Sequence, residues 1–248
     1  MQPEITDRLL RINAQFYQDY ASPFSATRQR LQPGVQRIIP LIPPEASILD
    51  LGCGNGEFWL CLFRNGFYGH YVGLDFSPQL LEIARENSRK AFLPSISAPF
   101  FQQADLSTDT WANCLPEGMA SFILAFAVLH HIPSTALRIK ILKKVRLLLK
   151  AGGQFIHSEW QFLNSSRLRE RIQPWSTVGL NESDVEEGDF LLDWRREGHG
   201  VRYVHHFTPV ELEALAQECS FTVREQYASD GEGGRLGLYQ IWEPCVNT

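Results

Sequence analysis

The amino-acid sequence predicts an α/β fold built on a doubly wound, mostly parallel sheet. Five short apolar segments alternate with helical patterns between residues 47 and 160, and such alternation requires crossover connections between parallel strands. A glycine-rich turn follows the first segment, as in sheets that bind a ligand at their carboxyl edge. Two further strand-like segments flank the turn SDGEGG (229–234) and predict an antiparallel hairpin at the C-terminal end.

Residues 1–46 are expected to form an N-terminal helix and a linker that together act as a lid. Between Pro3 and Tyr20, apolar residues recur at steps of three and four, which gives one apolar helical face. The following segment, SPFSATRQRLQPG (22–34), is rich in residues that favour turns.

Residues 47–160 are expected to form the cofactor-binding core. The helix at 77–92 begins with Ser77 and Pro78, an N-cap followed by the residue favoured in the first helical position. The basic helix at 135–153 is expected to cover the sheet and to keep Arg138 on a half-solvated face. The alternative is that its basic side chains contact RNA phosphates, namely Arg138, Lys140, Lys143 and Lys144. The predicted strands are 47–52, 71–76, 100–106, 120–129 and 154–160.

The periodic pattern is lost after Gln161, and we expect an irregular cap at 161–206, because an unpatterned stretch of this length usually carries function or is disordered. Regularity returns in residues 207–248, which are expected to supply a helix and the last two strands of the core. Thr208, with Glu211 three residues later, predicts a capping box at the start of that helix.

Composition narrows the class of protein. With 248 residues, 44% hydrophobic and 21% charged, the chain suits one large globular domain. It has no run of eighteen apolar residues, and its five cysteines are scattered, so we expect a cytoplasmic protein without a membrane span. The net charge of -5 argues against broad nucleic-acid binding, although a local basic patch stays open.

The stretch LDLGCGNGEF (49–58) is the most informative motif. Gly52, Gly54 and Gly56 follow a strand and precede a helix, where glycines let the main chain approach a ligand closely. Their spacing, G-x-G-x-G, differs from the G-x-G-x-x-G of dinucleotide sites. Asp50, two residues ahead of the first glycine, suits a ligand with a cationic amine rather than a pyrophosphate.

Two more acids fall at the ends of the next two predicted strands. Asp75 lies where an acid accepts from both hydroxyls of a ribose. Asp105 is placed to accept from the exocyclic amine of adenine, with Leu106 offering a neighbouring N–H. Three acids at one sheet edge favour a zwitterionic ligand that carries a sulfonium.

These stretches resemble the ordered motifs of class I S-adenosylmethionine-dependent methyltransferases. The resemblance implies a Rossmann-like, seven-stranded sheet and S-adenosyl-L-methionine as the cofactor. It also implies that the three glycines approach the methionine part, that Asp75 lies at the ribose, that Asp105 and Leu106 flank the adenine, and that Ala125 meets the methionine amine. Phe76, next to Asp75, is also expected to bind the cofactor. The motifs are ILDLGCGNGEF (48–58), VGLDFSPQLLEIA (72–84), QADLS (103–107), AVLHHIP (127–133) and LKKVRLLLKAGGQF (142–155).

The flanks resemble a narrower family, the tRNA wobble-uridine carboxymethyl methyltransferases. YASPFSATRQRLQPGV (20–35) and RYVHHFTPVELEAL (202–215) carry this resemblance, whereas HSEW (157–160) and the turn at 229–234 depart from it. The resemblance implies a tRNA carboxymethyl group as the methyl acceptor, and leaves open whether a small activator subunit takes part. If the N-terminal helix closes over the cofactor, Arg28 pairs with its carboxylate; otherwise Arg28 is a surface charge.

The stretch RYVHHF (202–207) supplies the expected catalytic residues. A carboxylate acceptor is already ionised at neutral pH, so it needs a cation rather than a general base. Arg202 offers a planar fork for it, and Tyr203 and His205 are expected to orient the base or a phosphate. For a hydroxyl acceptor, His205 or His131 would serve as the base.

Other functions remain open from the sequence. A small-molecule methyltransferase acting on an acid or a hydroxyl is the main alternative, and a non-catalytic cofactor-binding subunit is another. No metal site is expected, because the two His-His pairs lack ligand spacing and adjacent side chains on a strand point to opposite faces.

Overall fold

The computed structural model describes residues 1–20, 30–91, 98–194 and 200–245, and the structural statements below concern these residues. Ten strands form two sheets. The strands are β1 (Ser47–Leu51), β2 (His70–Asp75), β3 (Phe100–Gln103), β4 (Ala120–Phe126), β5 (Leu149–Trp160), β6 (Ile172–Gln173), β7 (Asp189–Trp194), β8 (Gly200–His205), β9 (Phe221–Ser229) and β10 (Gly237–Pro244). The α-helices are α1 (Pro3–Asp19), α2 (Pro33–Gln36), α3 (Glu57–Arg64), α4 (Pro78–Ala91), α5 (Thr135–Leu148), α6 (Ser166–Arg169) and α7 (Pro209–Glu218).

The large sheet has the order β3-β2-β1-β4-β5-β10-β9. Strands β1 to β5 pair in parallel, whereas β10 runs antiparallel to both β5 and β9. The predicted α/β fold, with seven strands and an antiparallel C-terminal hairpin, is confirmed.

Both faces of this sheet are covered by helices, which explains the continuously apolar strands. Alternate residues of β1 enter different clusters: Leu49 packs on one face with Ile123 and Leu142. Ile48 packs on the other face with Trp59 and Leu81. The sheet therefore carries a two-sided core that holds the strand ends in fixed positions.

The expectation of irregular structure at 161–206 is wrong in the described residues. Strands β6, β7 and β8 form a three-stranded antiparallel sheet. Its two faces pack separately, with Leu191 beside Leu9 of α1 on one face and Leu192 beside Phe162 on the other. Because both faces are buried, the alternation that marks a half-exposed strand is absent from the sequence.

Several helix ends differ from the predicted bounds. The helix predicted at 135–153 ends at Leu148, and the chain enters β5 at Leu149.

The Thr208 hydroxyl caps α7 by accepting from the Glu211 N–H at 3.1 Å. The Glu211 carboxylate does not complete a capping box but lies 2.7 Å from Nε2 of His205.

Within the described residues, the longest helices are too short or too polar to cross a lipid bilayer.

Candidate functional site

A cavity of about 510 Å³ lies at the carboxyl ends of β1, β2 and β4, the position where open α/β sheets bind ligands. Its volume lies in the range of small-molecule sites. The sheet side is formed mainly by residues 50–58, 74–80, 104–106 and 126–132, and the opposite side by Leu10, Arg11, Asn13, Ala14, Tyr17, Arg30, Leu31, Gln32 and Val35. Helix α1 and the segment before α2 thus form one wall of the cavity.

The glycine-rich turn gives this cavity its floor. Gly52, Gly54 and Gly56 have φ angles of 72°, 55° and 76°, in the left-handed region that favours glycine. A Cβ atom on Gly52 would lie 2.5 Å from Cγ2 of Val128, so the turn packs tightly there. A Cβ atom on Gly54 would meet no described atom within 4 Å, so the main chain at Gly54 faces open space.

Asp75 joins the glycine turn to the end of β2. Its Oδ2 accepts from the Gly54 N–H at 2.8 Å, and its Oδ1 accepts from the Ser77 N–H at 2.8 Å. Burial raises the pKa of this carboxyl, and the backbone hydrogen bonds partly offset that rise. Each oxygen has a second lone pair, so Asp75 keeps the capacity to accept from a ligand's two hydroxyls.

Asp50 is buried beneath the same floor. The Tyr71 hydroxyl donates to its Oδ2. Burial raises the pKa of Asp50 from 3.8 to about 7, although the Tyr71 hydrogen bond lowers it. We propose that Asp50 pairs with the cationic amine of the cofactor, because a buried carboxyl without a cation has little reason to ionise.

This proposal predicts a pH dependence of binding. A cofactor ammonium favours ionised Asp50, so affinity should rise as pH increases through about 7, and binding at pH 6 should release a proton. Calorimetry of S-adenosylhomocysteine in buffers of different ionisation enthalpy measures that proton. Asp50→Asn, which keeps the shape and the Tyr71 contact, should abolish the release; an unchanged proton count would contradict the assignment.

The raised pKa of Asp50 also affects the stability of the free protein, which should fall with rising pH where cofactor affinity rises. The folded state holds the Asp50 proton more tightly than the unfolded state, because its pKa is raised. The contribution of Asp50 to the free energy of unfolding is therefore fully present below pH 3.8 and is lost as pH rises towards about 7.

Asp105, Leu106 and Phe76 line the cavity beyond Asp75. Oδ1 of Asp105 accepts from the N–H and the hydroxyl of Ser107 at 2.9 and 2.6 Å, which fixes the carboxylate at the start of the loop after β3. A second cavity of about 380 Å³ also includes Phe76 and Asp105 and continues the first towards Trp111.

The structure does not place Ala125 at the cavity. Ala125 is fully buried within β4, because this strand continues to Phe126. The wall after β4 is formed instead by Phe126, Ala127 and Val128. Ala127 has a φ of 58° and donates its N–H to the Ser158 carbonyl at 2.9 Å, so the chain turns sharply at this point.

His131 lines the cavity, and both of its ring nitrogens have partners. Nδ1 lies 3.3 Å from the Tyr203 carbonyl oxygen, which can only accept, so Nδ1 carries a hydrogen. Nε2 lies 2.7 Å from the hydroxyl of Tyr17, another cavity residue. In the neutral ring Nε2 accepts the Tyr17 hydrogen, so its lone pair is already engaged.

His130, the other member of this pair, points into the protein core. Glu159 accepts from its N–H at 3.1 Å and lies 2.9 Å from its Nδ1. The same carboxyl contacts Nδ1 of His157 at 3.0 Å, and burial lowers the pKa of His157 to about 3. Glu159 therefore anchors the single turn of 3-10 helix at Leu129–His131, which carries His131 to the cavity.

Tyr203 and His205 lie in a buried ionic network away from the described cavity wall. The Tyr203 hydroxyl donates to Asp189 at 2.6 Å and accepts from Arg138 at 2.8 Å. The two ring nitrogens of His205 each lie 2.7 Å from a carboxylate, that of Asp189 or Glu211. Arg138 is fully buried, in contrast to the predicted half-solvated position.

Arg202 is held among aromatic rings. Its guanidinium carbon lies 4.8, 5.2 and 5.9 Å from the ring centroids of Trp160, Phe16 and Trp194. Arg202 is 8% exposed and is not part of the described cavity wall. Its contacts connect β8 to α1, so the arrangement differs from the acceptor clamp predicted from the sequence.

Arg28 lies outside the described residues. Sequence reasoning missed several residues on the lid side of the cavity, namely Arg11, Asn13, Tyr17 and Arg30. Asn13 and Tyr17 are four positions apart and flank the apolar face of α1, a spacing that puts polar groups on one side of a helix. That spacing was the feature of the sequence from which these lid residues could have been recognised.

The site fits S-adenosylmethionine, the cofactor that the sequence predicts. The main chain at Gly54 leaves an open cradle, and acids stand at the ends of three neighbouring strands. Within the described part of the chain, no group of three His, Cys, Asp or Glu residues is arranged to hold a metal ion.

Comparison with known proteins also indicates a methyltransferase. A family model described as a methyltransferase domain matches residues 24–226. The tRNA (carboxymethyluridine(34)-5-O)-methyltransferase ALKBH8 of Mus musculus is 28% identical over 191 residues. That match covers 74% of this chain but 26% of the mouse protein, so this chain spans about a quarter of that relative's length.

Two solved structures share the fold. A SAM-dependent methyltransferase of Methanosarcina mazei superposes with a TM-score of 0.66 at 23% identity, covering 88% of this chain and 99% of that one. A Haloferax volcanii methyltransferase, solved in complex with the Trm112 methyltransferase activator, gives 0.64 at 13% identity, covering 94% and 97%. At these identities the likeness concerns the fold alone.

Proposed function

This chain belongs to the methyltransferase domain family and is an S-adenosylmethionine-dependent methyltransferase, and we propose that its acceptor is the carboxymethyl group of a tRNA wobble uridine. The observation that carries the cofactor part is the Asp75 carboxylate, fixed by the Gly54 and Ser77 N–H groups at the cavity floor. The named activity of the mouse relative supports the acceptor.

The cofactor supplies an electrophilic methyl group on a sulfonium. Transfer of this methyl group to a carboxylate oxygen, with cleavage of the carbon–sulfur bond, would give a methyl ester and S-adenosylhomocysteine. No proton is transferred, so the protein has to align the reactants and exclude water. The cavity wall offers Arg11 and Arg30 on the lid side as cations for an anionic acceptor.

His131 supports an acceptor that needs no base. Its Nε2 lone pair is engaged by the Tyr17 hydroxyl, and its Nδ1 faces the Tyr203 carbonyl oxygen. A substrate proton could therefore reach this ring only through the Tyr17 hydroxyl and not directly. A carboxylate acceptor fits this arrangement, because it arrives ionised.

The experiment is methyl transfer to tRNA from cells that lack this protein. Purified protein is incubated with that tRNA and cofactor labelled in the methyl group, and the nucleosides are analysed by mass spectrometry. Mild base should release the label as methanol, because esters are hydrolysed whereas N-, C- and ether-linked methyl groups are stable. Asp75→Ala, whose cofactor binding is expected to be weaker, serves as the control with reduced activity. A base-stable label on tRNA would refute the carboxymethyl acceptor.

A hydroxyl acceptor on a small molecule is the second candidate, and the Tyr17–His131 contact of 2.7 Å is what favours it. Tyr17 would take the acceptor proton while passing its own to His131. Tyr17→Phe should then reduce methyl transfer by about 10²-fold or more, the size of a general-base effect.

For a carboxylate acceptor, Tyr17→Phe should change the rate by less than about tenfold, because only positioning is lost. The measurement is the single-turnover rate with saturating cofactor between pH 6 and 9. Gln18→Ala, an exposed change one residue along α1, controls for effects on the helix. A large loss in Tyr17→Phe with tRNA as acceptor would contradict the base-free mechanism.

A small activator subunit and a cytoplasmic location belong to the same proposal. The Haloferax volcanii methyltransferase of the same fold was solved with such an activator. The tRNA assay should therefore be run with and without a Trm112-type protein. Activity that depends on it would support the partner, and equal activity in both arms would remove it from the proposal.

A further inference from the structure

Asn13 of α1, on the lid side of the cavity, forms hydrogen bonds through both its amide nitrogen and its amide oxygen. It is 6% exposed and lies in the middle of the helix. Its Nδ2 donates to the carbonyl oxygens of His131 at 3.0 Å and Tyr203 at 3.2 Å. Its Oδ1 accepts from the Tyr203 N–H at 2.8 Å. One amide thus joins α1, β8 and the turn that carries His131.

We propose that Asn13 is a positioning residue that holds α1 closed over the bound cofactor. Leu10, Arg11, Ala14 and Tyr17, its neighbours along the helix, are all on the cavity wall. Their position relative to the glycine turn depends on how α1 is fixed. Asn13 fixes it to His131, the residue on the opposite side of the same cavity.

Apolar packing alone does not determine this position. Helix α1 buries Leu9 in the cluster with Leu191 and Tyr203, and Phe16 against Arg202 and Trp194. Such contacts tolerate small shifts along the helix axis, because hydrophobic contact is non-directional. The three hydrogen bonds of Asn13 have fixed directions, so they select one register of the helix.

The proposal concerns closure over the cofactor and holds whichever acceptor is methylated. It predicts faster release of S-adenosylhomocysteine when the amide is lost. Asn13→Ala removes all three hydrogen bonds of the amide and should increase the dissociation rate by about tenfold or more. Stopped-flow measurement on the full chain gives the rate. Asn181→Ala, the same change at the cap of the turn Glu182–Asp184, should leave it unchanged.

The rank order of the product release rates in Asn13→Asp and Asn13→Ala distinguishes a role in hydrogen bonding from a role in filling space. Asn13→Asp has nearly the same size but replaces both donors by an acceptor that faces two carbonyl oxygens. If Asn13 acts through hydrogen bonds, Asn13→Asp should release the product faster than Asn13→Ala. If the residue only fills space, Asn13→Ala should be the worse of the two, and the proposal is overturned.

A pH profile gives a signature that packing does not produce. Lowering the pH to about 5 should protonate part of the carboxyl introduced by Asn13→Asp and restore one donor. The ratio of the Asn13→Asp release rate to the wild-type release rate should therefore fall. The neighbours that titrate or carry polar groups here, Tyr17, His131 and Tyr203, are the same in all variants, and so is Asp50. Their effect therefore cancels in the ratio of rates. An Asn13→Asp to wild-type ratio that does not change between pH 5 and 8 would count against the proposal.

Hydrogen exchange locates the effect. In Asn13→Asp, amides of α1 should lose protection that S-adenosylhomocysteine gives them in the wild type, while amides of β1 keep theirs. Equal loss in α1 and β1 would indicate general destabilisation and would overturn a role specific to closure.

Discussion

Asp75→Ala is expected to weaken the binding of S-adenosylmethionine and S-adenosylhomocysteine together by about 1–3 kcal/mol, or roughly 5- to 150-fold. The variant removes two acceptor oxygens and leaves the Gly54 and Ser77 N–H groups without the partners they have at 2.8 Å. The glycine turn then loses the side-chain contact at Gly54 but keeps the hydrogen bonds that Gly52 and Cys53 donate to the Leu74 carbonyl of β2, so the floor of the cavity is loosened along with the ribose contact. Titration calorimetry of both ligands measures the loss.

A matched control uses an aspartate far from the cavity floor. Asp109 is 72% exposed and pairs with Lys140 on the surface, so Asp109→Ala should bind both ligands like the wild type. If Asp75→Ala binds S-adenosylhomocysteine with undiminished affinity, the ribose assignment of Asp75 is wrong. A loss for one ligand only would also contradict it, because both ligands carry the same ribose.

The second large effect concerns stability. Arg138→Met should lower the free energy of unfolding by about 3–5 kcal/mol, because it removes the cation beside the buried Asp189 carboxylate and the partly buried carboxylates of Glu186 and Glu211. Arg138 has a fully buried side chain and lies 3.5 Å from Asp189, 3.8 Å from Glu186 and 3.7 Å from Glu211. Its Nη2 also donates to the Tyr203 hydroxyl. Urea unfolding followed by circular dichroism measures the change.

Lys140→Met is the control on the same helix. Lys140 is 58% exposed, and its ion pair with Asp109 should contribute about 0–1 kcal/mol. Should the two variants unfold at the same urea concentration, the network around Arg138 would not be a main source of stability. A loss below about 1 kcal/mol in Arg138→Met would lead to the same conclusion.

The cofactor side of the site was predictable because its signals are local. Gly52, Gly54 and Gly56 follow a strand directly, and the strand ends bring Asp50 and Asp75 to the same edge of a parallel sheet. Sequence order and sheet topology therefore determine these positions. The position of Ala125 was less predictable, because the apolar pattern does not show that β4 continues to Phe126 and that the chain turns at Ala127.

The acceptor side was not predictable in the same way. Arg202, Tyr203 and His205 are neighbours in sequence, but side chains alternate along β8, so Arg202 lies among aromatic rings whereas Tyr203 and His205 share the ionic network of Asp189. Their partners come from α1, α5 and β7, up to 190 residues away along the chain. A surface charge and a buried ion pair look alike in sequence, so neither the buried network of Arg138 nor the aromatic surroundings of Arg202 could be recognised beforehand.

The Asn13 amide has a consequence for solubility. Strand β8 is the last strand of the small sheet, and an edge strand offers unpaired N–H and C=O groups to which another chain can add. Asn13 occupies those groups of Tyr203 as the peptide of a neighbouring strand would. Asn13, together with His131, whose Nδ1 lies 3.3 Å from the same carbonyl oxygen, thus occupies the middle of an edge to which another strand could otherwise add.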